Sequence, residues 1–228
     1  MKGKEKLLIE VSNLTRTFSD SSGYVVKALL VKEFKLEKGE KTALIGPSGS
    51  GKTTFLHCLS ALLSPTSGII LIDGRSVETM TSKEKEKWRA TFVGYIFQKA
   101  LLIPYLNVYE NISLSAEMAG KKKTKKEIEN WLEKVGLEGY GKRKPSGLSG
   151  GEQQRVSFIR AIIKEPKLIL ADEPTASLDM ENGRILMKLL LDYQKESECM
   201  LICATHDRQV QKYFSRKFVL ERERVPCT

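Results

Sequence analysis

The segment 46–53, Gly-Pro-Ser-Gly-Ser-Gly-Lys-Thr, constrains the fold more than any other stretch of the chain. It follows an apolar run, Lys41 to Ile45, that favours a buried strand, and it precedes a helical pattern from Lys52 to about Ser60. Its three glycines permit backbone angles that a Cβ would block, so successive N–H groups can face one concavity. A strand, a phosphate-binding loop and a helix in this order predict an α/β fold with a nucleotide site.

The residues of this loop have separate predicted roles. Lys52 is suited to reach the β and γ phosphates of a nucleotide as a point charge, and the hydroxyl of Thr53 is suited to Mg²⁺. A glycine-rich turn without a ligand is the alternative, which the flanking strand and helix disfavour. Further phosphate contacts are predicted for Gly46, Pro47, Ser48, Gly49, Ser50, Gly51 and Thr54.

Two adjacent carboxylates, Asp172 and Glu173, follow the apolar run Leu168 to Ala171. Ligands of open α/β sheets bind at the carboxyl ends of the strands. We therefore predict that Asp172 holds Mg²⁺ through its hydration shell, and that Glu173 orients and deprotonates the water that attacks the γ phosphate. An acidic turn at the end of a strand is the alternative, and the phosphate loop argues against it.

The order of the patterns predicts one α/β domain over residues 1–228. Residues 99–163 interrupt the alternation of strands and helices with helix-like stretches alone. They are therefore predicted to form a helical lobe inserted into a catalytic core of residues 1–98 and 164–228. The predicted strands are Leu7–Val11, Tyr24–Val31, Lys41–Ile45, Gly68–Ile72, Val93–Phe97, Leu168–Ala171, Cys199–Ala204 and Lys217–Leu220. Helices are predicted over Lys52–Ser60, Val108–Ala119, Lys125–Val135, Gly151–Ile163, Glu181–Glu196 and Arg208–Phe214.

The segment 148–152, Leu-Ser-Gly-Gly-Glu, distinguishes this chain from other proteins with phosphate loops. Ser149 and the glycines Gly150 and Gly151 precede or open a predicted helix, so they form a second anion site. On these residues the chain resembles the ATP-binding cassette family, whose signature is LSGGQ or LSGGE, over nearly its whole length. The resemblance implies a P-loop NTPase core with a mostly parallel sheet, an N-terminal antiparallel β portion and the helical lobe.

The same resemblance implies the arrangement of the nucleotide site. Residues Ser149 to Glu152 of one copy are expected to close on ATP and Mg²⁺ held by a second copy, in a head-to-tail homodimer. Gln98 is expected to contact Mg²⁺ and to sense a membrane partner. The loop that ends at Asp179 is expected to cross the dimer interface, His206 to contact the γ phosphate, and Phe18 to stack on adenine.

Finer matches at Phe92 to Gln98 and Leu101 to Pro104 resemble the branch of lipoprotein-releasing, macrolide-export and antimicrobial-peptide-resistance ATPases. The resemblance implies an ATPase subunit that drives a separate integral membrane permease. No apolar run approaches the ~20 residues that cross a bilayer, and none near the N-terminus is long enough for a signal peptide. A cytoplasmic chain, held at the cytoplasmic face of the membrane by its permease, is expected.

The net charge of +10 raises the alternative of a cassette ATPase that acts on nucleic acid or ribosomes. Such relatives usually carry a coiled-coil insertion, a zinc site or two fused cassettes, which the sequence lacks. Much of the excess charge lies in the lysine run 121–126, which is typical of solvated surface and is also compatible with anionic lipid headgroups. No nucleic-acid partner is therefore expected. A P-loop kinase, a third possibility, would not explain residues 149–152.

Cysteine use points to ordinary thiols. Cys58, Cys199, Cys203 and Cys227 have neither the spacing of a metal site nor the density of a disulfide scaffold. Burial as small apolar side chains is expected for the first three.

Overall fold

The computed structural model describes residues 8–19 and 25–221. Its strands are β1 (Leu8–Ser19), β2 (Val25–Glu37), β3 (Lys41–Ile45), β4 (Ser67–Ile72), β5 (Arg75–Ser76), β6 (Val93–Ile96), β7 (Leu168–Asp172), β8 (Met200–Ala204) and β9 (Arg216–Val219). Its α-helices are α1 (Lys52–Leu59), α2 (Ser82–Thr91), α3 (Val108–Met118), α4 (Lys125–Lys134), α5 (Gly150–Ile162), α6 (Met180–Ser197) and α7 (Arg208–Gln211). Short 3₁₀ turns lie at Tyr140–Lys142 and Pro145–Gly147.

The strands form two sheets. Five of them make a parallel sheet in the order β6-β7-β8-β3-β9, and the other four make an antiparallel sheet in the order β2-β1-β4-β5. Neighbours in the parallel sheet are distant in sequence, because each crossover passes through a helix or a longer segment. The predicted combination of a parallel core sheet and an N-terminal antiparallel portion is confirmed.

Alternating side chains of the parallel strands enter two apolar cores. Ile169 and Ala171 of β7 pack in the core shared with α3 to α6, whereas Leu168 and Leu170 pack in the core shared with α1 and the antiparallel sheet. This alternation follows from the two-residue period of a strand, and burial on both faces explains the continuous apolar runs. The core of the helical segment is thus continuous with one face of the sheet.

Helix starts follow a common capping pattern. Thr81, Asn107, Thr124 and Ser149 each accept a hydrogen bond from the backbone N–H of a glutamate three residues on, whose carboxylate returns to the cap. These capping boxes satisfy backbone donors that a helix start leaves open. The predicted helices in 99–163 are present as α3, α4 and α5.

Several predicted bounds are corrected by the structure. The antiparallel strands β1 and β2 extend further than predicted, to Ser19 and Glu37, while the predicted starts Leu7 and Tyr24 lie outside the described residues. Helix α7 ends at Gln211 rather than Phe214, because the N–H groups of 213 and 214 bond three residues back. Helix α2 and strand β5 were not predicted.

The cysteine prediction is confirmed for Cys58, Cys199 and Cys203, which are buried free thiols, whereas Cys227 lies outside the described residues. Within 8–19 and 25–221, no helix combines the length and the apolar character needed to cross a bilayer.

Candidate nucleotide site

The phosphate loop connects the end of β3 to the start of α1, as the sequence predicts. The ammonium of Lys52 lies back over the loop, where its Nζ donates to the carbonyls of Gly46 at 2.9 Å and Pro47 at 3.3 Å. Residues 47–49 are exposed at the tip of the loop, so the concavity is open to a ligand. The cation is therefore held at the loop without a carboxylate in hydrogen-bond contact.

Two glycines of the loop are fixed by close packing. Gly51 has φ of +92°, and a Cβ there would lie 2.3 Å from the carbonyl oxygen of Ala28 in β2. A Cβ on Gly46 would lie 2.5 Å from the carbonyl oxygen of Leu220. Neither position has room for a side chain, so the loop packs closely against β2 and against Leu220, the residue that follows β9.

Strand β7 ends at Asp172, one residue later than the predicted end at Ala171. The side chain of Asp172 is buried, and burial raises the pKa of the carboxyl, which a hydrogen bond with Thr53 partly opposes. Its Oδ1 has no hydrogen-bond partner among the described residues. A buried carboxylate oxygen without a partner, next to a threonine hydroxyl, fits the oxygen ligands that Mg²⁺ prefers.

The described residues contain no cluster of three or more His, Cys, Asp or Glu side chains that could hold a metal by themselves.

Glu173 connects the phosphate loop to the end of β8. Its Oε2 lies 2.9 Å from Nδ1 of His206 and accepts from the backbone N–H of the same residue at 3.3 Å. Its Oε1 lies 3.8 Å from Nζ of Lys52. The backbone of Glu173 has φ of +47°, an uncommon conformation for a residue with a side chain, and its N–H donates to the carbonyl of Ala204.

Gln98 lies just beyond β6 with an exposed side chain. Its backbone carbonyl accepts from the hydroxyl of Ser177 at 3.1 Å. The carbonyl of the preceding residue, Phe97, accepts from the buried amide of Gln154 in α5 at 2.7 Å. The segment that carries Gln98 is therefore attached both to the loop before α6 and to α5.

Residues 149–152 form the first turn of α5. Ser149 and Gly150 are exposed, and a Cβ on Gly150 would meet no atom within 4 Å. Glu152 was predicted to contact the nucleotide, and in the structure its Oε2 accepts from the N–H of Ser149 at 2.6 Å. That hydrogen bond lowers the pKa of the Glu152 carboxyl. Glu152 thus has a local role as the capping-box acid of α5.

Asp179, predicted to lie at a dimer interface, is the N-cap of α6 and is exposed. Phe18 lies in β1, with 42% of its side chain exposed and the guanidinium of Arg16 4.7 Å from the ring centroid. Its register partner Val26 lies two residues before Ala28, whose carbonyl abuts Gly51. The exposed ring is therefore on the strand pair that supports the phosphate loop.

The structure brings part of the predicted site together and leaves part of it apart. Residues 46–54, Asp172, Glu173 and His206 lie together at the carboxyl ends of β3, β7 and β8. By contrast, no hydrogen bond or ion pair within the described residues joins the segment 148–152 to the phosphate loop. Gln154 and Arg155 directly follow the segment 148–152, but their contacts with Phe97 and Asn182 were not predicted. Asn182 itself lies in no motif of the sequence.

A family model for ABC transporters matches residues 31–176, about two thirds of the chain. The chain belongs to the ABC transporter family. It is 40% identical over 221 residues to the lipoprotein-releasing system ATP-binding protein LolD of Buchnera aphidicola subsp. Acyrthosiphon pisum, covering 96% of each chain. It is 39% identical over 207 residues to the macrolide export ATP-binding/permease protein MacB of Mannheimia succiniciproducens, covering 89% of this chain and 32% of that protein.

Among solved structures, this ABC cassette is similar to the ATP-binding cassette MJ0796, in a dimeric post-hydrolysis state bound to ADP and Pi. The TM-score is 0.86 at 33% identity, and the match covers 95% of this chain and 97% of that one. The predicted fold, the predicted branch and the prediction of an ATPase are confirmed. The chain is an ATP-hydrolysing nucleotide-binding subunit of an ABC transporter.

Proposed function

We propose that this subunit works as an ATP-driven homodimer that moves a separate integral membrane permease. One observation carries the proposal: residues 46–53 and 148–151 each end at a helix start with free space beside it, and no hydrogen bond or ion pair within the described residues joins the two segments. The second segment is exposed at a helix N-terminus, where backbone donors and the helix dipole favour an anion. Two copies arranged head to tail bring the second segment of each onto ATP held by the first segment of the other.

In this proposal Lys52 changes partners when ATP binds. Its Nζ leaves the carbonyls of Gly46 and Pro47 for the β and γ phosphates, which offer a charged acceptor in place of neutral ones. The backbone N–H groups of the loop and the hydroxyls of Thr53 and Thr54 add further contacts. Phe18, with its face partly exposed, supplies the stacking surface for adenine.

Glu173 is the proposed general base. Its carboxylate lies near Lys52 on one side and His206 on the other, at the edge of the sheet where the γ phosphate is bound. It accepts a proton from the attacking water, while His206 keeps the carboxylate oriented. The products are ADP and phosphate, and loss of the phosphate contact to Ser149 allows the dimer to reopen.

Thr53 is the proposed direct protein ligand for Mg²⁺, Asp172 would hold the ion through its hydration shell, and Gln98 would contribute from beyond β6. The unpartnered, buried Oδ1 of Asp172 supports this assignment. When bound, Mg²⁺ neutralises charge on the β and γ phosphates. The pKa of Asp172 is raised because burial disfavours its charged form, and a bound cation would stabilise that charged form.

A cleft beside Gln98 is the proposed contact for the permease. It has a volume of about 420 Å³ and lies between the core and the helices of 99–163, the segment that we propose as a helical lobe. Its apolar rim is exposed, with 59% exposure at Leu101 and 69% at Met118. Arg160 and Lys164 also line the cleft, where they donate to the backbone carbonyls of Ala100, Leu101 and Arg89, so the proposed contact is mainly apolar. This contact would hold the ATPase at the cytoplasmic face of the membrane.

The named relatives favour export or lipoprotein release as the process that this ATPase drives, and they give no support to a nucleic-acid or ribosomal role. We therefore place its permease among export-type or lipoprotein-releasing partners.

The dimer is tested by sedimentation velocity of the Glu173→Gln variant. With ATP and Mg²⁺ the variant should sediment as a dimer, and without nucleotide as a monomer. A monomer at saturating ATP would contradict the proposal.

The permease contact is tested in cells that make the chain naturally. Leu101→Glu and Met118→Glu should move the chain from the membrane fraction to the supernatant, because each places a charge on the apolar rim of the cleft. Tyr213→Glu, at an exposed residue outside the cleft, is the control. An unchanged membrane-bound fraction in both cleft variants would contradict the contact.

A further inference from the structure

Asn182 bridges two segments that the dimer proposal assigns to the interface. It lies in the first turn of α6, where its backbone N–H donates to Oδ1 of Asp179 at 2.8 Å. Its side-chain Nδ2 donates to Oδ2 of the same carboxylate at 2.7 Å. Both oxygens of Asp179 are thus bound by one residue, and these hydrogen bonds lower the pKa of the Asp179 carboxyl.

The other end of the Asn182 amide faces α5. Its Oδ1 accepts from Nη1 of Arg155 at 2.7 Å. A Cβ on Gly151 would lie 2.6 Å from the same Oδ1, so α5 and α6 approach closely at this point. The amide therefore donates to the loop before α6 and accepts from the helix that carries residues 149–152.

Two further bonds complete a closed set of connections. Ser177, in the loop before α6, donates to the carbonyl of Gln98, and Gln154 of α5 donates to the carbonyl of Phe97. Three segments are joined pairwise: the start of α5, the loop that ends at Asp179, and the residues after β6. Connected hydrogen bonds of this kind hold backbone segments in one relative position.

We propose that Asn182 is a positioning residue for ATP-driven dimerisation, which fixes the first turn of α5 relative to the loop that ends at Asp179. The inference rests on the proposed head-to-tail dimer. Both segments would have to meet the second copy together, and holding them in place beforehand lowers the entropy cost of association. An amide suits the position because it offers a donor to the Asp179 carboxylate and an acceptor to the Arg155 guanidinium.

Two substitutions separate the contacts. Asn182→Ala removes both side-chain bonds and keeps the backbone bond to Asp179. Asn182→Asp keeps an acceptor for Arg155, but its new carboxylate faces that of Asp179 and repels it. In the Glu173→Gln background with saturating ATP and Mg²⁺, we expect each to raise the dimer dissociation constant about five- to tenfold, from the loss of charge-assisted hydrogen bonds. Asn130→Ala, at an exposed asparagine of α4, is the matched control and should leave the constant unchanged.

ATP binding by the monomer distinguishes positioning from a general structural role. No hydrogen bond within the described residues joins Asn182 to residues 46–53, so calorimetry should give the same ATP affinity for both variants and for the parent chain. A parallel loss of monomer affinity would overturn the inference, as would unchanged dimer constants in both variants. A Glu173→Gln parent that never dimerises would overturn the proposed function and this inference with it.

Discussion

Oε2 of Glu173 lies 2.9 Å from Nδ1 of His206, which brings together the residues that follow two neighbouring strands of the parallel sheet. The two residues are 33 positions apart in sequence, and the adjacency of β7 and β8 makes the contact possible. The same carboxylate also lies 3.8 Å from the ammonium of Lys52. A single side chain therefore connects the phosphate loop to His206, the second residue after β8.

Replacing Glu173 with Gln should reduce steady-state ATP turnover at least about 100-fold, because the amide cannot accept the proton of the attacking water. ATP affinity should remain within about twofold, since Lys52 and the loop amides are unchanged. Phosphate release and calorimetry measure the two quantities. Adding His206→Ala to the Glu173→Gln variant should lower ATP turnover no further than Glu173→Gln alone does, if the two residues act as a unit. Glu138→Gln, at an exposed glutamate, is the control, and turnover close to that of the unaltered chain in Glu173→Gln would remove Glu173 as the base.

Replacing Lys52 with Ala should weaken ATP binding at least about tenfold, because one or more charge-assisted bonds to the phosphates are lost. Lys52→Arg keeps the charge on a larger planar group that does not fit the same carbonyls, so an intermediate affinity is expected. Calorimetry of the monomer with ATP and Mg²⁺ measures both. Equal affinities in the three proteins would contradict the role of Lys52.

Replacing Gly51 with Ala should lower the free energy of unfolding by at least about 2 kcal/mol, from the left-handed backbone and the contact with the Ala28 carbonyl. Gly147→Ala is the control, because a Cβ there meets no atom within 4 Å. Its effect should stay within about 0.5 kcal/mol. Urea unfolding measures both, and similar values for the two variants would show that the loop is not packed against β2 as described.

Replacing Gly150 with Ala tests the segment 148–151 without disturbing the fold. A Cβ there meets no atom within 4 Å, and alanine favours a helix more than glycine, so stability should be equal or higher. In the Glu173→Gln background, ATP-driven dimerisation should weaken at least about tenfold, because the methyl group stands where the partner's phosphate must approach. Sedimentation velocity measures the dimer dissociation constant. An unchanged constant would exclude the phosphate contact at Gly150.

Replacing Glu165 with Gln should produce a pH-dependent loss of stability. Hydrogen bonds from Lys121 and Lys123 lower the pKa of Glu165 from 4.5 to about 2. The folded state thus binds fewer protons than the unfolded state between these values, so the contribution is complete above pH 4.5 and is lost as the pH falls towards 2. Because the group is largely exposed, we expect a difference of about 1 kcal/mol or less at pH 7. Urea unfolding from pH 7 to pH 3 measures it, and a difference that grows at low pH would contradict the sign.

The phosphate loop, the Asp172–Glu173 pair and the segment 148–152 could be predicted because their chemistry is local. Each combines a few residue types with a strand end or a helix start, and the backbone angles of Gly51 match what its position in the loop requires. The full length of β1 and β2 could not be predicted from the sequence. The parts beyond the predicted bounds are largely polar, and they are strands because they pair with each other.

Helix α2 could not be predicted from the sequence either, for a different reason. None of its residues is buried, so it lacks the apolar period on which helix prediction depends. It is attached to the rest of the chain by Arg89, which donates to the carbonyl of Ala61, and by Trp88, whose indole N–H donates to the carbonyl of Leu59. Thr81 and Glu84, spaced as a capping box, were the one local signal of its start. The contact of Arg155 with Asn182 has no local signal, because it depends on how α5 packs against α6.

A structure of the Glu173→Gln variant with ATP and Mg²⁺ would test the head-to-tail dimer at the phosphate itself. We expect two copies related head to tail, with Ser149 of each within hydrogen-bond distance of the γ phosphate that the other copy holds at residues 46–53. A nucleotide-filled structure in which residues 148–151 contact no phosphate, in any pair of neighbouring copies, would contradict it.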